Sequence, residues 1–461
     1  MGKKYNVVTI FLDTFREECL YNDKVIMPNL KDFIFNRCMN FTQIIPEALP
    51  TVPVRRSMFT CQRYFPHDVE NIWDGNVFQI KASLNNVNKI PNLGWDAIPE
   101  NCMTIAEVMK VRNYNTVCIM NTHPINKSSF IKGFDRVHNF CSLNSITELD
   151  VNYFVDSCIA ETEPDRNKIK GFLQNNPWLL NKDCKLEDTD EYRMFQMAIS
   201  ELKYKNVHIP LYLHLDYFSL HQPYYAPKKY LEMYAKTPYE GIMDFNPGNR
   251  WFGVEYPTKF YSEECEEDIR NRYYAQCTML DDLFGEFIKS LEEMNHLDDT
   301  IIFIYSDHGI CLGEYKLQAK PNNYNTPYVV KNIAAMYVPG WVAETNDKLF
   351  YNYDVMATLF RNVLGDDLPE GWYGSNVILD KGYDYVVGNY FQYLYYYDKK
   401  YLYSTSKDRT TQCLWDMENK KFIPVELNEI MVDDFYDKIM ENGGYDLPDL
   451  IVDEKFKDVN E

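Results

Sequence analysis

The sequence predicts an α/β fold: a large, mostly parallel β-sheet sandwiched by helices, followed by a small C-terminal α+β subdomain. Three observations predict it. Strand-length apolar runs alternate with amphipathic, helix-length segments from Lys4 to Tyr305, as expected when crossover helices link parallel strands. Asp13, His123, Asp216 and Asp307 each fall at or just past the end of such a run, and parallel sheets bind ligands outside the C-terminal ends of their strands. From about Gly382 the texture changes to a Tyr-rich stretch of β character, which marks a separate small sheet.

The elements follow in order. Lys4 to Leu12 reads as a buried strand, because it is rich in apolar and β-branched residues up to Asp13. Met27 to Asn36 has apolar residues at helical spacing, with Pro28 near the start, where a missing N–H costs least. Thr104 to Arg112 reads as a helix with Thr104 near its N-cap. Asn115 to Met120 and Leu211 to Tyr217 are strands, and Glu263 to Met294 is a long helical stretch. Asp298-Asp299 turns that helix into the apolar strand Thr300 to Tyr305. Residues 233–262 are rich in Pro, Gly, Asn and aromatic residues and are expected to form a long insertion loop over the ligand-binding face. Tyr385 to Leu402 and Ser404 to Leu414 predict a small antiparallel sheet, and the acidic segment from Glu426 a surface helix and a tail.

Composition narrows the function classes. With 461 residues, 46% hydrophobic and 25% charged, the chain has the makings of a sizeable core and is not a disordered one. Lys and Arg total 47 against 68 Asp and Glu, a formal charge of -21. That field repels nucleic-acid phosphates and anionic lipid, so neither a nucleic acid nor a membrane is an expected partner. Val7 to Leu12 and Ile301 to Tyr305 are among the longest apolar runs, far short of the ~20 residues that span a bilayer. The basic start leads into a strand interrupted by Asp13, not into a signal peptide, and Asn6 stands where a myristoylation motif needs Ser or Thr. The 12 cysteines form no C-x-x-C pair and read as reduced thiols, so a cytoplasmic location is expected. A homo-oligomer is compatible with this composition, and no segment specifies one.

Four segments carry candidate chemistry. Asp13 ends the first strand; on its own it reads first as a helix cap. Thr51-Val52-Pro53-Val54-Arg55 leads into a helical pattern, where a helix N-terminus and Arg55 suit an oxyanion, or where Thr51 caps a surface helix with Arg56 on its solvated face. His214 to Pro223 is a strand that ends in a polar loop with Asp216 and His221; His214, inside the strand, reads as structural. Ser306-Asp307-His308-Gly309 follows an apolar strand directly, offering oxygen and nitrogen ligands for a divalent cation, with glycine for a tight turn.

Taken together, these segments resemble the sulfatases and phosphonate monoester hydrolases of the alkaline phosphatase superfamily, over roughly Asn6 to Asp416. The family's Cys or Ser followed by x-Pro-x-Arg and a helix ending in Thr-Gly-Arg appears as Thr51 to Arg55 and Thr60-Cys61-Gln62-Arg63. Its Asp-x-Phe-x-x-His-x-Pro appears as Asp216 to Pro223, and its Ser-Asp-His-Gly as Ser306 to Gly309, with Lys320 twelve residues beyond His308. Lys132-Gly133-Phe134-Asp135 also matches. The resemblance implies an alkaline phosphatase-like fold, with 1–381 as catalytic domain and 382–461 as the small C-terminal subdomain. It implies one divalent metal ion (Ca²⁺, Mn²⁺ or Zn²⁺) held by Asp13, Asp307 and His308, with Thr51 reaching the metal from the nucleophile position. Arg55 and Lys320 would hold nonbridging oxygens of a small anionic ester, and His221 would protonate the leaving group. His123, with Thr122, falls where the family has another polar substrate contact.

The departures from the family pattern shape the functional expectation. Sulfatases oxidise Cys or Ser to formylglycine, whereas Thr51 carries a methyl on Cβ and gives no aldehyde. Asp13-Thr14 replaces a common Asp pair, as in phosphonate monoester hydrolases, and Cys61 replaces a glycine. A threonine hydroxyl near a divalent ion is a competent nucleophile for phosphorus. Nucleotide pyrophosphatase/phosphodiesterases and phosphoethanolamine transferases resemble the chain in this, but with two-zinc sites, for which only Asp216 and His221 remain here. The expected function is therefore a one-metal hydrolase of phosphate or phosphonate esters, diesters preferred. A sulfatase without formylglycine and a catalytically inactive binding protein are the alternatives. The 233–262 insertion and the Tyr-rich segment are expected either to shape the leaving-group pocket or, for the aromatics, to pack a core.

Overall fold

The computed structural model describes residues 4–63, 97–125, 129–140, 147–152, 166–181, 183–235, 239, 261–321, 325–365, 367–390 and 393–442. Most of the expected insertion at 233–262 and the acidic tail from 443 lie outside the described residues.

The main sheet has eight strands among the described residues. Their spatial order is Glu344–Asn346, Met39–Phe41, Ala334–Tyr337, Thr300–Ser306, Asn6–Leu12, Leu211–Tyr217, Asn115–Met120 and Arg136–Asn139. All neighbours pair parallel except Ala334–Tyr337, which runs antiparallel to both of its partners. The central strand shows why its sequence is mostly apolar. Val8, Ile10 and Leu12 pack under the helices Pro28–Arg37, Asp190–Lys203 and Glu263–Glu293. Val7 and Phe11 pack on the other face with Thr51–Thr60, Ile105–Val111 and Asn352–Thr358. A strand covered on both faces has no solvated side to leave polar.

Local signals match these elements. Pro28 opens its helix at the first turn, and Thr104 closes a reciprocal capping box with Glu107 at the start of Ile105–Val111. The long helix starts at Ser262, whose side chain accepts from the Cys265 N–H, and its acidic first turn (Glu263, Glu264 and Glu266) suits the positive helix end. Among the described residues no helix is long and apolar enough to cross a membrane.

A second, six-stranded sheet runs Lys421–Ile423, Gln412–Asp416, Tyr401–Ser406, Tyr393–Tyr397, Val386–Tyr390 and Ala48–Leu49. The first five form an antiparallel meander; Ala48–Leu49 adds parallel to its edge. The C-terminal sheet thus takes its last strand from the segment just before Thr51. Its tyrosines are largely core: Tyr395, Tyr397 and Tyr403 are fully buried, while the Tyr390 hydroxyl donates to the Lys320 carbonyl at 3.3 Å. Tyr396 stacks on Phe435 of the covering helix Glu429–Glu441, with ring centroids 4.2 Å apart. Pairing with apolar neighbours makes these rings core.

Candidate active site

Strand register assembles the site. Leu12 lies opposite both Tyr217 and Ser306, so Asp13 and Asp307 emerge side by side one residue later. Asp216 pairs with Phe11 on one side and Met120 on the other. Residues 13, 216, 307 and 122 therefore converge at one edge, the C-terminal end of the parallel strands.

The helix Thr51–Thr60 lies against that edge. Thr51, Arg55 and Phe59 follow at four-residue intervals and so share one face. Phe59 anchors that face on the His214 ring, 5.0 Å away edge-on, and Phe11 packs on the same ring at 4.9 Å. His214 is structural, as its place in the strand suggested: Nδ1 meets Thr9 Oγ1 at 2.8 Å and Nε2 faces Asp216 at 3.3 Å. Arg56 is not on a solvated face. It is 5% exposed, because the helix is wrapped on all sides and has no outward surface. Cys61 ends the helix with φ 48°, a left-handed position that favours the glycine of the family pattern.

Arg55 is fully buried among three carboxylates. Its Nε and Nη2 donate to Asp216 at 3.2 and 3.0 Å, its Nη1 donates to Asp307, and Nη2 lies 3.5 Å from Asp13. The guanidinium is thus held by three carboxylates. Burial works against its charge, but the three acids hold it ionised. In return, Arg55, with His214, overcomes burial at Asp216 and brings it down to about 2. Burial also opposes ionisation at Asp307, yet Arg55 and His308 hold it well below the usual carboxylate range. Asp307 Oδ1 further accepts from the backbone N–H groups of Thr14 at 2.9 Å and His308 at 2.8 Å.

Asp13 is different. Both its oxygens are buried and accept no hydrogen bond, and burial together with Asp307 raises its pKa well above the usual range. An acid in that setting calls for a cation. His308 supplies a matching ligand: its Nδ1 donates to the Gly309 carbonyl at 2.9 Å, leaving the Nε2 lone pair inward. One ligand atom from each of Asp13, Asp307 and His308 lies within 4.8 Å of the others. Two carboxylates and an imidazole fit one divalent ion. Gly309 allows this turn, since a Cβ there would sit 2.1 Å from the Tyr328 carbonyl oxygen.

Thr51, at the first position of its helix, brings Oγ1 to 3.3 Å from His308 Nε2. Across the site His221 Nδ1 donates to the Gln222 carbonyl at 2.8 Å, so its Nε2 accepts from Lys320 Nζ at 2.8 Å. Burial, then the Lys320 charge, push the His221 pKa well below 6.5. The proton between them therefore sits on Lys320, with His221 as its acceptor. Burial lowers Lys320 as well, against the pull of Asp13 and Asp307, which eases release of that proton.

Eight of the nine residues singled out in the sequence, Asp13, Thr51, Arg55, Thr122, His221, Asp307, His308 and Lys320, stand around this edge. The Thr122 hydroxyl donates to Asp216 Oδ1, because its strand ends beside Asp216. His123 opens the short helix His123–Ile125, and its side chain lies outside the described residues. Sequence reasoning missed Asp216 as the main partner of Arg55, and Tyr273, whose hydroxyl donates to the Thr14 carbonyl and accepts from the Arg16 N–H. Asp216 had a signal in its place at a strand end; Tyr273, one of two adjacent tyrosines on a long helix, had none.

His308 gives the metal-free protein a pH signature. Burial lowers its pKa from 6.5 to about 4. Between those values the unfolded chain binds the proton and the folded one does not, so stability falls as the pH drops. The loss is about 3 kcal/mol from this residue. Asp13, raised instead of lowered, works in the opposite sense. The check is therefore a comparison: chelator-treated His308→Gln should lose less of its urea midpoint between pH 7 and pH 4.5 than wild type.

Comparison with known proteins identifies the family. The family model described as Sulfatase matches residues 5–362. The chain belongs to the sulfatase family. It is 28% identical over 371 residues to the iduronate 2-sulfatase of Homo sapiens, covering 75% of this chain and 62% of that protein. It is 25% identical over 246 residues to the multifunctional alkaline phosphatase superfamily protein PehA of Trinickia caryophylli, covering 46% and 47%. These matches span less than two thirds of either relative. Among solved structures, the phosphonate monoester hydrolase of Agrobacterium radiobacter has a TM-score of 0.66 at 14% identity, covering 96% of each chain. The sulfatase-family chain therefore has an alkaline phosphatase-like fold. Enzymes of this family bind a divalent metal, and the Asp13–Asp307–His308 cluster is where this member has the ligands for one.

Proposed function

We propose that this sulfatase-family chain is a metal-dependent hydrolase of phosphate and phosphonate esters, diesters preferred, with Thr51 as nucleophile. The observation that carries this reading is the Thr51 hydroxyl, held at a helix start 3.3 Å from His308 Nε2 and beside the buried Asp13–Asp307–His308 cluster. Threonine yields no formylglycine aldehyde, whereas hydroxyl attack on phosphorus needs no such conversion. A divalent ion (Ca²⁺, Mn²⁺ or Zn²⁺) held by Asp13, Asp307 and His308 would supply charge that acidifies a nearby hydroxyl and offsets the ester's nonbridging oxygens.

The residues of the chain divide the remaining work. Thr51 Oγ1 gives up its proton to solvent and forms a bond to phosphorus as the ester P–O bond breaks. The leaving oxygen takes its proton from the Lys320–His221 pair; water then attacks phosphorus, its proton restores that pair, and the departing Thr51 Oγ1 is reprotonated from solvent. Charge supports a singly charged substrate. Asp13, Asp216 and Asp307 outnumber Arg55 and Lys320 by one, so a divalent ion leaves one net positive charge. A monoanionic diester neutralises it, and a dianionic monoester overshoots. A sulfate ester is also monoanionic, so the choice of phosphorus rests on Thr51.

Turnover of an aryl phosphate diester, a phosphate monoester, a phosphonate ester and an aryl sulfate, each with added Ca²⁺, Mn²⁺ or Zn²⁺, tests this. The diester and phosphonate should exceed the sulfate by at least about tenfold, a barrier difference of ~1.4 kcal/mol. Faster sulfate turnover would replace the proposal with a sulfuric ester hydrolase lacking formylglycine, the reading favoured by the names of several relatives. Metal uptake with no turnover of any ester would replace it with a binding protein.

A further inference from the structure

His221 lies in the loop that follows Leu211–Tyr217, outside any strand or helix. A backbone bond from the His221 N–H to the Phe218 carbonyl, at 2.9 Å, closes the turn. The Phe218 ring stacks on the His221 ring, with centroids 4.7 Å apart and planes 15° from parallel. What holds Phe218 therefore also holds the imidazole. That ring has little room to shift, because both its nitrogens are engaged, Nδ1 with the Gln222 carbonyl and Nε2 with Lys320 Nζ, each at 2.8 Å.

Asn121 holds Phe218. It stands one residue beyond the neighbouring strand Asn115–Met120, and its N–H donates to the Asp216 carbonyl at 3.2 Å. Its backbone is thus tied to the strand that leads into the loop. Its side chain reaches the loop with both ends of the amide. Oδ1 accepts from the Phe218 N–H at 2.7 Å, and Nδ2 donates to Ser219 Oγ at 2.7 Å. Ser219 Oγ in turn donates to Glu191 Oε1 at 2.5 Å. The directions agree: a hydroxyl has one proton to give, and Ser219 gives it to the carboxylate, so from Asn121 it accepts. That fixes which end of the amide faces Phe218. Glu191 is 1% exposed in the first turn of the helix Asp190–Lys203, so the chain of bonds ends on a packed element and not on another loop. Bonds in such a chain reinforce one another, the last one being to a carboxylate.

We propose that Asn121, anchored through Ser219 on Glu191, is the positioning residue that holds the His221 imidazole against Lys320. For its link to the reaction the inference rests on the ester-hydrolase reading above, in which the Lys320–His221 pair protonates the leaving oxygen. Asn121 acts through Phe218 and Ser219. Its loss should therefore slow the protonated departure of the leaving group more than any other step.

The test compares phenyl and 4-nitrophenyl methylphosphonate with the metal-loaded chain. Nitrophenolate departs readily without a proton, whereas phenolate gains more from one. In Asn121→Ala the kcat for the phenyl ester should fall at least about tenfold more than that for the nitrophenyl ester. Ser219→Ala should move the ratio the same way by less, and Ser219→Thr, which keeps the hydroxyl, should return it toward wild type. An equal fall with both esters would overturn the proposal, since a merely structural Asn121 changes the amount of folded enzyme and not its dependence on the leaving group. A second readout needs no turnover: the tautomer of the His221 ring, read by NMR of the ¹⁵N-histidine-labelled, metal-free chain and assigned with His221→Gln. Wild type should carry the ring proton on Nδ1, as the contacts to Gln222 and Lys320 require, and Asn121→Ala should shift it toward Nε2. A wild-type ring protonated at Nε2, or a His221 signal unchanged in Asn121→Ala, would overturn the proposal. A shifted tautomer with neither ester turned over by wild type would support the positioning role, and only the ester-hydrolase reading would then fall. Ser219→Ala decides both readouts if Asn121→Ala does not fold.

Discussion

Thr51→Ala is expected to lose phosphate and phosphonate ester turnover by roughly 10³-fold or more, the scale seen when a covalent nucleophile is removed. The helix should survive the change. Pro50, not Thr51, is its N-cap, and the Thr51 side chain caps nothing. Its hydroxyl meets His308 Nε2, and alanine leaves that nitrogen available to a cation. Metal uptake should therefore persist while turnover disappears, a separation that a merely structural Thr51 would not give. Thr51→Ser, which keeps the hydroxyl and drops only the methyl, should stay far closer to wild type than Thr51→Ala. Rapid quenching of wild type with substrate, followed by peptide mass analysis, should place the phosphoryl group on Thr51. Undiminished turnover in Thr51→Ala would sink the nucleophile assignment.

Much of this site was legible in the sequence because its parts lie at the ends of strongly patterned elements. Asn115–Met120 and Leu211–Tyr217 have the bounds that their largely apolar runs suggest, since strands buried on both faces stay mostly apolar. Asp13 and Asp307 meet because parallel register carries strand-end residues to one edge. What remained hidden depends on partners far away in the chain. Arg55 and Asp216 are 161 residues apart, and Tyr273 and Thr14 are 259 apart. No local periodicity reports that a guanidinium will be spent on three acids. The short main-sheet strands Met39–Phe41, Ala334–Tyr337 and Glu344–Asn346 are too brief to show a period. Ala48–Leu49 joins the C-terminal sheet across 341 residues, pairing Asn389 with Ala48, which no linear division of the chain anticipates.

Asp13→Asn should separate the metal's contribution from that of the fold. In wild type, a divalent ion that binds only the folded chain should raise stability by about 2.7 kcal/mol at one hundred times its Kd. Thermal unfolding in chelator and in excess Ca²⁺, Mn²⁺ or Zn²⁺ reads that gain and identifies the ion. Asparagine keeps the shape of the side chain and removes its charge, so the gain should vanish in Asp13→Asn together with turnover. In chelator the variant should be at least as stable as wild type. The reason is local: both Asp13 oxygens are buried without a hydrogen bond, while Arg55 keeps its closer bonds to Asp216 and Asp307. Removing a buried, unsatisfied carboxylate relieves a cost. A chelated variant less stable than chelated wild type would instead make Asp13 a partner of Arg55, 3.5 Å away, and would move the ion elsewhere. The two outcomes differ in sign, and that sign decides whether the carboxylate serves the cation or the arginine.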